Sequence, residues 1–122
     1  LLRMDPSDAT TQNNLGFCML PDQPARAAEL FEQATELDPD LDLASMNRVL
    51  ALALLGKRDE AIDSARQLHE EVGSRLAEEN GWLWDVDSVL SENEPFITFV
   101  QNCGSYLEEL VHILEGGQEP AS

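Results

Sequence analysis

A spacing of 33 residues constrains this chain more than any other feature. Leu2-Arg3-Met4-Asp5-Pro6 is answered by Glu36-Leu37-Asp38-Pro39, which sets Pro6 and Pro39 33 positions apart. Between these two stops lie two helical patterns. Asp8 to Leu20 carries Leu15-Gly16 and Met19, with Ser7 or Asp8 placed to cap it. Ala27, Leu30, Phe31, Ala34 and Leu37 then recur at helical spacing and form one apolar stripe. Pro21-Asp22-Gln23-Pro24 breaks the chain between them, and Pro24 suits the first turn of the second helix. Gly16 costs roughly 1 kcal/mol of helix stability against Ala. Close approach of the partner helix is the reason to keep it. A helix pair of this kind cannot bury its apolar face alone, so a repeated pair predicts stacking.

The order Leu-Gly, a bulky residue three later, Ala-x3-Phe and then Pro resembles the tetratricopeptide repeat (TPR). The resemblance covers residues 2–72. It implies an all-α fold of antiparallel helix-turn-helix repeats, a TPR-like right-handed α-solenoid. In that register residues 1–6 end a preceding repeat, 7–40 form the first repeat and 41–74 the second. The first turn is one residue shorter than usual, which gives 33 rather than 34. The second repeat runs Ala44 to Leu55, a left-handed cap at Gly56, then Lys57-Arg58-Asp59-Glu60-Ala61-Ile62 opening the next helix. It ends at Val72-Gly73-Ser74 instead of at a proline. Arg48 and Val49 depart from the family pattern; Arg48 is left to reach an acid such as Glu29 or Glu32, or to face the groove.

After Ser74 the pattern weakens. Residues 75–94 read as a degenerate repeat or connector. A helix over Leu76–Leu90 is favoured over the extended segment that the alternation of Trp82, Trp84 and Val86 also suits. From Pro95, residues Phe96, Phe99, Val100, Cys103, Tyr106, Leu107, Leu110, Val111 and Leu114 hold helical spacing. They predict one C-terminal capping helix over 95–117, covering the last apolar face of the solenoid. Residues 118–122 form a loose tail.

Charge narrows the partner. The chain carries 24 acids against seven bases, a net −17, and residues 76–122 hold ten of the acids and no Lys or Arg. Such a surface repels phosphate backbones and anionic membranes, which argues against nucleic acid and membrane partners. It permits a cationic peptide or protein. The longest apolar run, Val49–Leu55, is far short of the ~20 residues of a membrane helix. Cys18 and Cys103 form no CxxC pair and read as buried, reduced thiols, which predicts a cytoplasmic setting.

Little in the chain carries chemistry. Asp38-x-Asp40-x-Asp42 copies the start of a calcium loop, but Leu43 and Val49 stand where Gly and Glu are required. His69 and His112 lack partners at zinc-ligand spacing. No phosphate loop or nucleophile elbow appears. The expectation is a chain that is no enzyme and that uses no metal or cofactor.

Asn14 and Asn47 are 33 apart, as are Asn47 and Asn80. The TPR resemblance implies that Asn14 and Asn47 lie on inner helices and grip the backbone of an extended peptide through amides that both donate and accept. In the same register Phe17, Leu20, Leu43, Met46 and Leu50 line that concave groove. The Lys-rich carboxylate clamp of chaperone-binding members is missing, so an acidic tail is not the expected ligand. The leading expectation is a protein-interaction scaffold binding a peptide or partner domain, with basic flanks, in the groove. The alternative is an oligomerisation or regulatory domain, including a homodimer, in which the C-terminal helix packs on another subunit or plugs the groove.

Overall fold

A computed structural model describes residues 8–91 and 94–116. The expected remnant of a preceding repeat, residues 1–6, and the tail, residues 118–122, lie outside the described residues. Those described form six helices and one pair of strands: α1 (Ala9–Met19), α2 (Pro24–Leu37), α3 (Asp42–Leu54), α4 (Arg58–Leu76), β1 (Gly81–Trp84), α5 (Val86–Leu90), β2 (Ile97–Val100) and α6 (Cys103–Leu114).

The first four helices follow from their end signals. Asp8 caps α1, its carboxylate accepting from the Thr10 N–H at 3.3 Å. Pro24 opens α2. Gly56, at φ 81°, closes the α3–α4 turn in the left-handed region that disfavours other residues. Each helix packs on the next, α1 on α2, α2 on α3 and α3 on α4, and α1 also touches α3. A Cβ on Gly16 would sit 2.8 Å from the ring of the fully buried Phe31, so the bare glycine lets α1 and α2 close. The expected end of the second repeat falls at a kink: Val72 leaves helical geometry (φ −135°, ψ 20°), and helix then continues to Leu76.

The fold is mostly helical, but two expectations past Ser74 are corrected. Residues 81–84 are a strand and not part of a helix. Residues 97–100 are a second strand, so the helix expected over 95–117 is confined to 103–114. The strands pair antiparallel, with Gly81 opposite Val100, Trp82 opposite Phe99, Leu83 opposite Thr98 and Trp84 opposite Ile97. The run Phe96-Ile97-Thr98-Phe99-Val100 is made of aromatic and β-branched residues, which pack well on a pleated surface. Asn102 then starts α6, its Oδ1 accepting from the Ser105 N–H at 3.0 Å.

One core joins these parts. Leu20, Phe31, Met46, Leu50, Leu76, Leu83, Leu107 and Leu110 are buried together. Helix α6 packs on α4 and also reaches α3. It is held there by Arg58, which donates to the Leu114 carbonyl, by an Arg66–Glu115 ion pair and by His69 3.6 Å from Glu108. Asp42 is buried at the start of α3 and receives both Nε and Nη2 of Arg75, at 2.7 and 2.8 Å. That fork fixes the far end of α4 to α3.

Candidate functional site

The structure distributes the seven expected groove residues over three environments. Leu20, Met46 and Leu50 are fully buried core residues. Asn47 is 2% exposed, and its Nδ2 donates to Oδ1 of Asn13 at 3.1 Å. The partner on α1 is therefore the buried Asn13; Asn14 is exposed. Phe17 and Leu43 are half-buried, beneath β1. This corrects the expectation of an open trough. Its floor is covered by the chain's own C-terminal segment.

Trp84 makes the cover. Its ring lies 5.5 Å from that of Phe17, centroid to centroid, and its indole N–H donates to the Phe17 carbonyl at 2.9 Å. Leu43 meets the backbone of Gly81, where an added Cβ would approach it to 3.3 Å. Leu83 enters the core, and α5 packs on α3. The segment is tied at its turn. Asp85 caps α5 by accepting from the Ser88 N–H at 3.0 Å. The Ser88 hydroxyl donates to the Asp85 carbonyl and accepts from the Phe96 N–H, while the Asp85 N–H donates to the Phe96 carbonyl at 2.9 Å. Tyr106 of α6 donates to the Trp84 carbonyl at 2.7 Å. Burial, and then the nearby Asp85 and Glu109, hold the Tyr106 hydroxyl well above the usual phenol range.

Beyond Trp84, the face of the strand pair that it shares with Trp82, Ile97 and Phe99 is bare. Trp82 is 63% exposed, Ile97 43% and Phe99 45%, with Phe96 beside them at 53%. Trp82 and Phe99 stand edge to face, ring centroids 5.2 Å apart. Four of the six exposed large apolar side chains among the described residues thus belong to residues 82–99. The sequence carries a hint of this: Trp82 and Trp84 alternate with Leu83, so the three cannot all face one core.

Other expected positions fall elsewhere. Asn80 is exposed and precedes β1. Arg48 lies 3.9 Å from Glu60, not at Glu29 or Glu32. Cys18 and Cys103 are both free, but only Cys103 is buried; the expectation of a buried Cys18 is corrected. Burial, then Glu79 and Asp42, push the Cys103 thiol up to about 11, which disfavours the reactive thiolate. Among the described residues no three His, Cys, Asp or Glu side chains gather as metal ligands, and no helix is long and apolar enough to cross a membrane. Comparison with protein-family models, with curated proteins and with solved structures finds no match to this chain.

Proposed function

We propose that this chain is a non-catalytic protein-interaction module whose contact surface is the bare face of the strand pair. One observation carries this reading: Trp82, Ile97 and Phe99 are exposed together on one face of the strand pair, with Phe96 exposed beside them, while Leu83 on the other face enters the core. Grouped apolar exposure of this kind marks an interaction site, and aromatic residues are the usual anchors of such sites. Helices α1–α4, taken as two TPR-like helix pairs of an α-solenoid, are the rigid support. The free thiols of Cys18 and Cys103 suit a reducing, cytoplasmic setting. The net −17 favours a cationic protein over nucleic acid or an anionic membrane.

A second reading keeps the concave trough as a site and makes the strand segment its internal occupant. Its support is the seating of Trp84 on Phe17. A ligand in the trough must first displace that segment.

Selection from a random-peptide display library separates the two. The wild-type protein is expected to enrich peptides whose binding is lost in the Trp82→Ser/Phe99→Ser variant and kept in Asn14→Ala, with both variants unchanged in circular dichroism. Peptides that survive the Trp82/Phe99 change would remove the strand face as the site.

A further inference from the structure

The backbone of β2 adds a second feature to its side chains. In an antiparallel pair, facing residues alternate between those that exchange N–H and C=O bonds and those whose polar groups point away from the partner strand. The Asp85 N–H donates to the Phe96 carbonyl, and these two residues continue the register of the ladder. The exchanging pairs are therefore Leu83–Thr98 and Gly81–Val100. Trp82–Phe99 and Trp84–Ile97 are the others, which agrees with the close ring contact of Trp82 and Phe99. On β1 the outward carbonyl of Trp84 is taken by Tyr106. On β2 the outward N–H and C=O groups of Ile97 and Phe99 have no hydrogen-bond partner among the described residues. This edge combines exposed apolar side chains with open backbone groups, the arrangement that templates an added strand.

A cleft of about 280 Å³ runs beneath the same strand. Thr98 and Val100 of β2, Tyr106 and Glu109 of α6, and Asp85 line it. It is smaller than the ~300–1,000 Å³ of small-molecule and cofactor sites. It suits one long side chain, and its two carboxylates select a positive one. Side chains of an added strand alternate between the two faces of the sheet. Those on one face meet Ile97, Phe99 and Trp82; those on the other reach the cleft.

We propose that the outer edge of β2 takes up an extended segment of another protein as a third strand, with alternating apolar and basic side chains, one basic side chain entering the cleft between Asp85 and Glu109. The proposal rests on the strand face being an interaction surface and names the partner of that face. A second copy of this chain is the disfavoured occupant, because it brings another −17 and residues 76–122 offer it no Lys or Arg.

The test uses the full chain and an acetylated, amidated Lys-Val-Lys-Val-Lys-Val-Lys peptide, followed by titration calorimetry and amide hydrogen exchange. Binding is expected with a Kd on the order of 10–100 μM. Exchange at the Ile97 and Phe99 amides should slow by about tenfold in the complex. Affinity should fall by about tenfold or more in Asp85→Asn/Glu109→Gln, for a Glu-Val peptide, and for a peptide methylated on alternate backbone nitrogens. Asn still caps α5, so the variant keeps its fold. Absence of binding up to about 1 mM overturns the proposal. Binding that leaves Ile97 and Phe99 exchange unchanged, or that tolerates backbone methylation, also overturns it. The strand face survives that outcome if the library peptides still depend on Trp82 and Phe99. Dimerisation of the chain alone, with Ile97 and Phe99 protected in the dimer, assigns the edge to a second copy instead.

Discussion

The helical part, residues 9–76, and the strand segment, residues 81–100, place their large apolar side chains differently. Helices α1–α4 turn theirs inward, and only Leu15 and Leu37 stand exposed. The strand segment divides its own: Leu83 is fully buried and Trp84 is anchored on Phe17, while Trp82, Phe96, Ile97 and Phe99 face water. A helix pair with a single stripe completes its burial against the next helix. A two-stranded sheet has two faces, and the helices can cover one. The difference gathers the exposed apolar surface in the segment that the 33-residue spacing does not reach.

The contrast between the two tryptophans is the sharpest way to break this comparison. Trp84→Ala removes a ring contact and an indole hydrogen bond and should cost about 2–4 kcal/mol, somewhat below the range for a fully buried aromatic. Trp82→Ala should cost less than about 1 kcal/mol. Urea unfolding of both variants decides it; equal losses would mean that the exposed ring is as structural as the anchored one. Within the helical part, Asn13→Ala leaves the buried Asn47 without its one bond and should cost about 1–3 kcal/mol. The double change Asn13→Ala/Asn47→Ala should cost clearly less than the sum of the single ones. Strict additivity in that cycle would show that the two amides do not act as a pair.

Gly16→Ala comes next. Overpacking against Phe31 costs about 1–3 kcal/mol, and the better helix propensity returns roughly 1 kcal/mol, so a net loss of about 1–2 kcal/mol is expected. A gain in thermal midpoint would mean that α1 and α2 are less tightly closed than described. The smallest effect lies at Glu79, whose carboxyl is raised above its ordinary range by burial and then by the Asp42 carboxylate. A carboxyl with a raised folded-state pKa stabilises the fold below its unfolded value, and that contribution is lost as pH rises through the folded value. Glu79→Gln should therefore match the wild type in acid and exceed it slightly at neutral pH. A wild type that gains on the variant as pH rises would reverse the sign and refute the assignment.

The legible and illegible parts of the sequence divide along the same line. Gly16, Pro24, Phe31 and Gly56 each have one local physical role, and each stands in it. The Asn spacing points one residue wide at its first position. A spacing of 33 selects Asn14, but the register across the trimmed turn brings Asn13, 34 positions before Asn47, into the interior. A count along the chain does not contain that rotation. At the C-terminal end, Phe96, Phe99, Val100 and Cys103 satisfy helical spacing by coincidence, because a strand followed directly by a helix can mimic one stripe. The aromatic and β-branched run before Asn102 was the contrary signal. The covering of the trough was not legible at all, since it depends on Trp84 meeting Phe17 across 67 positions.

The placement of the two tryptophans has an optical consequence. They are the chain's only indoles, one in water beside Phe99 and one held between a ring and a carbonyl. Iodide should quench the first and spare the second. Release of the strand segment from the helices would then appear as a newly quenchable fraction of emission, at unchanged helical ellipticity, and could be timed in the unlabelled wild-type protein.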